Sequence, residues 1–160
     1  MPKTPFEIRP VRSGKDIAAA GALFRAYAAS LGVDLAYQDF EAELAGLPGK
    51  YAPPAGELLL ALASDGQPLG CVALRPIEPQ GCCEMKRLYV APAARGLGLG
   101  RALVDAILET AAGTGYGELR LDTLPDMIDA QALYERMGFV RIAPYYDTPM
   151  TGTVFMARAL

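Results

Sequence analysis

Alternation of apolar and polar positions divides the chain into short strands and longer helices. FEIRPV (Phe6 to Val11) alternates and predicts a first strand. SGKD (Ser13 to Asp16) has the form of a capping box. It opens a helix with Ala20, Phe24, Tyr27 and Leu31 on one face and Gly32 as its stop. A shorter helical piece is predicted near Tyr37 to Leu44, and the prolines and glycine of KYAPPAG predict a loop. ELLLALA and PLGCVALRPI flank an Asp65-Gly66 turn, which reads as a hairpin. Cys82 to Val90 follows as a third strand in series. Strict alternation there places Glu84, Lys86, Leu88 and Val90 on one face, and sends the neighbours Cys82 and Cys83 to opposite faces.

The next helix carries Leu103, Ala106, Ile107 and Ala111 on one side and Arg101, Asp105 and Glu109 on the other. YGELRLDTL predicts another strand. DMIDAQALYERMGF predicts a helix with Ala130, Leu133, Tyr134 and Met137 together and Gly138 closing it. Two final strands fit Val140 to Tyr145 and Thr153 to Arg158. The order is β-α-α-β-β-β-α-β-α-β-β, with no repeat, linker or low-complexity segment. The expectation is a single domain over residues 1–160, a mixed sheet with helices on its faces.

Composition narrows the chemistry. A net charge of −3 gives no support to a nucleic-acid partner, which favours a basic face. The longest clean apolar run, Leu58 to Ala63, is too short to span a bilayer, and MPKTPFEIRP has no apolar signal core. A cytoplasmic protein without a membrane partner is expected. There is no histidine, which removes Ser-His-Asp and Cys-His catalysis and most catalytic zinc sites, so no metal is expected. Any general base must be a carboxylate, tyrosine, thiolate or water. Cys71, Cys82 and Cys83 have no CxxC spacing and read as buried structural thiols.

The stretch YVAPAARGLGLGRALV spends glycines at positions 96, 98 and 100, immediately before a helix. Glycine in an ordered segment costs roughly 0.5–1 kcal/mol relative to alanine. A Gly-rich strand-to-helix turn can present backbone N–H groups and the helix dipole to an anion, and side chains would block the approach. Close packing at the helix entry is the competing explanation. GxGxxG and GxxxxGK[ST] both fail on spacing.

RGLGLG fits the R/Q-x-x-G-x-G/A signature of the GNAT acetyltransferase superfamily, with Arg95, Gly98 and Gly100 in the defining places. CEMKRLYVAPAARGLGLGRALVDAILE resembles that family's fourth strand, pyrophosphate loop and third helix. ALYERMGF (Ala132 to Phe139) resembles its second signature, and the element order matches from end to end. The resemblance implies an α/β (α+β) fold: a GNAT-like mixed, mostly antiparallel sheet of about seven strands with helices on both faces. It also implies acetyl-CoA as cosubstrate. Backbone amides of Arg95, Gly96, Leu97, Gly98, Leu99, Gly100 and Arg101 would hold its diphosphate. Pantetheine would lie along Leu88, Tyr89 and Val90, in a V-shaped gap against the strand Glu118 to Asp122.

Acetyl transfer needs a neutral amine, a base for its proton and an acid for the leaving thiolate. Glu84, eleven residues before Arg95, stands at the base spacing of the histone-acetyltransferase branch; pairing with Lys86 on the surface is the alternative. Tyr134 stands at the family's general-acid tyrosine, and core packing is its alternative. Met127 occupies a place where relatives often have Asn. By resemblance, the acceptor pocket would draw on Tyr37 and Tyr51 from one loop and Tyr145, Tyr146 and Asp147 from another. Asp147 is either an attractor for a cationic amine or a solvated turn residue. The expected function is acetyl transfer from acetyl-CoA to a primary amine of a small molecule, amino acid or peptide, in a protein that could pair as a homodimer. The alternatives are a non-catalytic acyl-CoA-binding domain and a nucleotide-binding module, the latter disfavoured by the failed spacings.

Overall fold

The computed structural model describes residues 6–32 and 39–160. Along them run β1 (Phe6–Pro10), α1 (Gly14–Leu31), α2 (Phe40–Ala45), β2 (Glu57–Ala63), β3 (Pro68–Ile77) and β4 (Cys82–Val90). They are followed by α3 (Leu99–Thr114), β5 (Glu118–Thr123), α4 (Ile128–Arg136), β6 (Val140–Ile142) and β7 (Val154–Ala159). The seven strands form one sheet in the order β1-β2-β3-β4-β5-β7-β6. Every neighbouring pair is antiparallel except β4 with β5. The mixed, mostly antiparallel sheet expected from the sequence is therefore observed.

Helices cover both faces, which is why β2 reads as a near-continuous apolar run. Leu58, Leu60 and Leu62 join Ala20, Leu23 and Phe24 of α1 on one face. Leu59 and Ala61 join Leu103, Val104 and Ile107 of α3, with Tyr134 and Phe139, on the other. Ser13 caps α1 by accepting from the Asp16 N–H at 3.1 Å, and left-handed Gly32 ends it. Toward the end of α1, Tyr27 and Leu31 are only half buried, because that part of the expected core face lies over a gap in the sheet.

Three expectations need correction. The face containing Glu84, Lys86, Leu88 and Val90 does not exist. β3 pairs Cys71 with Tyr89 but Ala73 with Lys86, leaving two β4 residues opposite one on β3; this is a bulge, and Arg87 takes φ 60° within it. The extra residue reverses the alternation. Leu88 and Val90 pack toward α3, whereas Tyr89 joins the α1 face. The short helix begins at Phe40 rather than near Tyr37, which lies outside the described residues. β6 stops at Ile142 instead of reaching Tyr145, since Pro144 has no N–H to continue the ladder.

Candidate active site

β4 and β5 hold together only at Cys82–Glu118, Cys83–Leu119 and Glu84–Arg120. Beyond these pairs the bulge turns β4 aside and the two strands diverge into a gap. Met85, Lys86, Leu88, Asp122, Met127 and Tyr134 are among the residues on its walls. The gap continues past Leu88 and Val90 toward Arg95 and Gly100, along the start of α4.

At that end the chain enters α3 through two left-handed glycines, Gly96 at φ 86° and Gly98 at φ 76°. A Cβ at either would meet nothing within 4 Å, so it is the backbone conformation, not crowding, that calls for glycine there. Gly100 lies inside the helix, and a Cβ there would make only ordinary contacts with Leu133 and Val90. Gly98 is the N-cap and supplies no capping side chain. The helix's first amides, including those of Leu99, Gly100 and Arg101, therefore lack intrahelical partners and point out of its positive end. Leu99 itself is core, Leu97 is exposed, and Arg95 reaches back to the Val90 carbonyl at 3.4 Å. A diphosphate fits this bare, unpartnered helix entry, and the divergent edge of β4 leaves room for an extended pantetheine arm. These residues suit acyl-CoA.

Tyr134 lies on the gap wall with its ring against Phe139, centroids 5.8 Å apart. Burial pushes its phenol above the ordinary tyrosine range, and the nearby Tyr27 and Asp122 add to the shift. It stays a proton donor at neutral and mildly alkaline pH. Met127 is the N-cap of α4 and makes no capping bond; Gln131 steadies the preceding loop instead, donating to the Leu124 carbonyl at 2.9 Å.

Glu84 is wholly buried, not a surface carboxylate. One oxygen accepts from Arg75 Nε at 2.8 Å and the other from the Tyr145 hydroxyl at 2.5 Å, while Lys86 Nζ is 4.0 Å away. Tyr145 and Tyr146 thus come together with Glu84 and with Asp122, whose carboxylate accepts from the Tyr146 hydroxyl. Tyr51 does not line the gap: it is wholly buried behind it, edge-on to Phe24 and close to Arg75, Arg87 and Glu43. Asp147 is exposed in the loop after the tyrosine pair.

Four contributors were not singled out from sequence: Arg75, Arg87, Asp122 and Glu43. Arg87 is buried at the bulge and forks onto Glu43 of α2 at 2.9 and 3.1 Å. Burial alone would raise the Glu43 carboxyl, but Arg87 and Lys50 outweigh it and hold it below the usual range. Asp122 closes a predicted strand, yet alternation alone does not mark one carboxylate among several. The three cysteines are free and buried, and burial pushes Cys71 and Cys83 up to about 12. Among the described residues no group of side chains can hold a metal, and no helix is long and apolar enough to cross a membrane.

Comparison with known proteins agrees with this geometry. The sequence model described as the acetyltransferase (GNAT) family matches residues 23–139. An N-acetyltransferase of Schizosaccharomyces pombe, described as uncharacterized, is 40% identical over 98% of this chain and 96% of its own length. N-acetylaspartate synthetase of Rattus norvegicus is 33% identical over 75% of this chain, which spans 41% of that enzyme. The crystal structure of an acetyltransferase from Streptococcus agalactiae superposes over 99% of this chain with a TM-score of 0.81 at 22% identity, a likeness of fold.

Proposed function

Because the chain belongs to the GNAT acetyltransferase family and is an acetyl-CoA-dependent N-acetyltransferase, we propose that it acetylates the primary amine of a small molecule by direct attack in a ternary complex. The observation that carries this reading is the divergence of β4 from β5 beyond Glu84–Arg120. It opens a gap from the bare entry of α3 to Tyr134 and Asp122. The rat relative is named for making an N-acetylated amino acid, which supports a small acceptor.

The first amides of α3 would hold the diphosphate, and the β4 edge at Leu88 to Val90 the pantetheine. When bound, the cosubstrate supplies a thioester whose carbonyl carbon the amine attacks. An alkylamine has a pKa near 10, so its proton must be taken before it can attack. Asp122 borders the gap with a side chain that is 15% exposed, whereas Glu84 is closed off, so Asp122 is the better-placed base. Tyr134 would give its proton to the leaving sulfur. Glu84 would act as a positioning residue, anchoring Tyr145 and Arg75.

Release of free CoA thiol with a panel of small amines tests the reading. Transfer to at least one of them is expected. In Asp122→Asn, turnover near neutral pH should fall and partly recover at high pH, where more amine arrives neutral. Tyr134→Phe should lower kcat by about a hundredfold, within the reach of general acid catalysis. Tight acetyl-CoA binding without transfer to any amine would turn the reading toward a non-catalytic acyl-CoA-binding domain.

A further inference from the structure

Resting on that proposed function, we infer that the acceptor is an α-amino acid, with Lys86 receiving its carboxylate beside Asp122, which receives its amine. The inference starts from an ammonium group that faces the gap with no described protein acceptor within hydrogen-bond range. Lys86 precedes the β4 bulge, is 7% exposed and lies on the gap wall. Its Nζ is 3.7 Å from Asp122 and 4.0 Å from Glu84, both past hydrogen-bond range. No described residue accepts a hydrogen bond from it. Its Nζ is not closed off like the Tyr51 and Thr123 hydroxyls, so its three donors open onto the gap, where water or a ligand can accept from them.

The other cations nearby are already engaged. Arg87 forks onto Glu43, Arg75 is bound to Glu84, and Lys50 lies 3.3 Å from Glu43. Among the described residues of this cluster, Lys50, Arg75, Lys86 and Arg87 face only Glu43, Glu84 and Asp122. Among these described groups, Lys86 is the cation with no carboxylate oxygen within hydrogen-bond distance.

The arrangement also says where that anion sits. Lys86 and Asp122 present opposite charges side by side, as the two polar groups of an α-amino acid do on one carbon. A carboxylate would take the idle donors of Lys86 while the amine lay against Asp122, in the gap that also holds Tyr134. Leu31 and Met127 on the same walls are left for the side chain. A simple alkylamine would bring Lys86 no acceptor, and a peptide amino terminus would bring only a neutral amide oxygen in place of a carboxylate.

The test is thiol release from acetyl-CoA with each common amino acid set beside its own α-amide, in the wild type, Lys86→Met and Lys86→Arg. The wild type should favour the acids by about ten- to a hundredfold in kcat/KM, the worth of a charge-assisted hydrogen bond. Lys86→Met should collapse that preference, with the loss carried in KM, and Lys86→Arg should keep part of it. The acid–amide comparison in the wild type decides the matter even if a variant does not fold. Equal use of acids and amides overturns this inference alone, leaving the amine acetyltransferase in place. An equal fall in kcat on both series in Lys86→Met also overturns it, since the ammonium would then serve the thioester oxygen. Absence of transfer to either series overturns the inference, and the proposed function falls with it only where the wider amine panel is refused as well.

Discussion

Glu84 and Asp122 are both carboxylates, each hydrogen-bonded by one of two consecutive tyrosines, and they differ in what else can reach them. Glu84 has no exposed surface and is bound by Arg75 and Tyr145 at its two oxygens. Glu84→Gln keeps the shape but leaves Arg75 without its charged partner. The expected loss is about 1–3 kcal/mol of stability, the usual worth of a charged hydrogen bond, measured by urea unfolding. The pH dependence of turnover should keep its shape. A profile shifted in Glu84→Gln as strongly as in Asp122→Asn would return the proton-accepting role to Glu84. The sequence marks both residues as acidic and evenly spaced on strands. It does not show that Arg75, nine residues earlier on β3, stands across from Glu84 in the register.

Two elements shape the gap, the entry of α3 and the bulge of β4. Gly98 holds φ 76°, where a β-branched residue costs about 1–2 kcal/mol, and a residue that refuses this conformation would re-aim the amides that follow it. Gly98→Val should therefore lower the melting temperature modestly and weaken acetyl-CoA binding far more. Calorimetry with wild-type affinity in that variant would remove the anion role of the turn. The bulge is held from the other side: Arg87, at φ 60°, lies over the Phe40 ring with its guanidinium carbon 5.4 Å from the centroid and forks onto Glu43. α2 thereby pins the residue whose extra place in β4 turns Leu88 and Val90 to the opposite face.

Across the whole molecule, one parallel pair in an otherwise antiparallel sheet lets the sheet open at its centre, and polar groups are folded in around the opening. Burial raises Tyr51 and Tyr134 above the ordinary tyrosine range. It does the same for Tyr145, where Glu84 raises the phenol further. The sign follows from proton counting. Above about pH 10 an unfolded tyrosine loses its proton while these keep theirs, so the folded state binds more protons. Their contribution is complete below that pH and is lost as pH rises toward the folded values. Stability by urea unfolding should fall steeply above about pH 10, and less steeply in Tyr134→Phe. A flat profile there would contradict the burial of these phenols.

The sequence by itself determined the order of elements, the apolar faces of the main helices, the glycine turn into α3 and the position of Tyr134. These are local: periodicity, caps and turn residues act over a few neighbours, and RGLGLG and ALYERMGF are contiguous strings. The face on which β4 places Leu88 and Val90 was decided by pairing with β3, because a bulge shows only in the register between two strands. The closing of Glu84, the opening of Asp122 and the idle donors of Lys86 were decided the same way. Each depends on charges that meet only when β3, β4, β5 and the loop carrying Tyr145 and Tyr146 come together, and alternation along one strand carries no information about what the neighbouring strand brings.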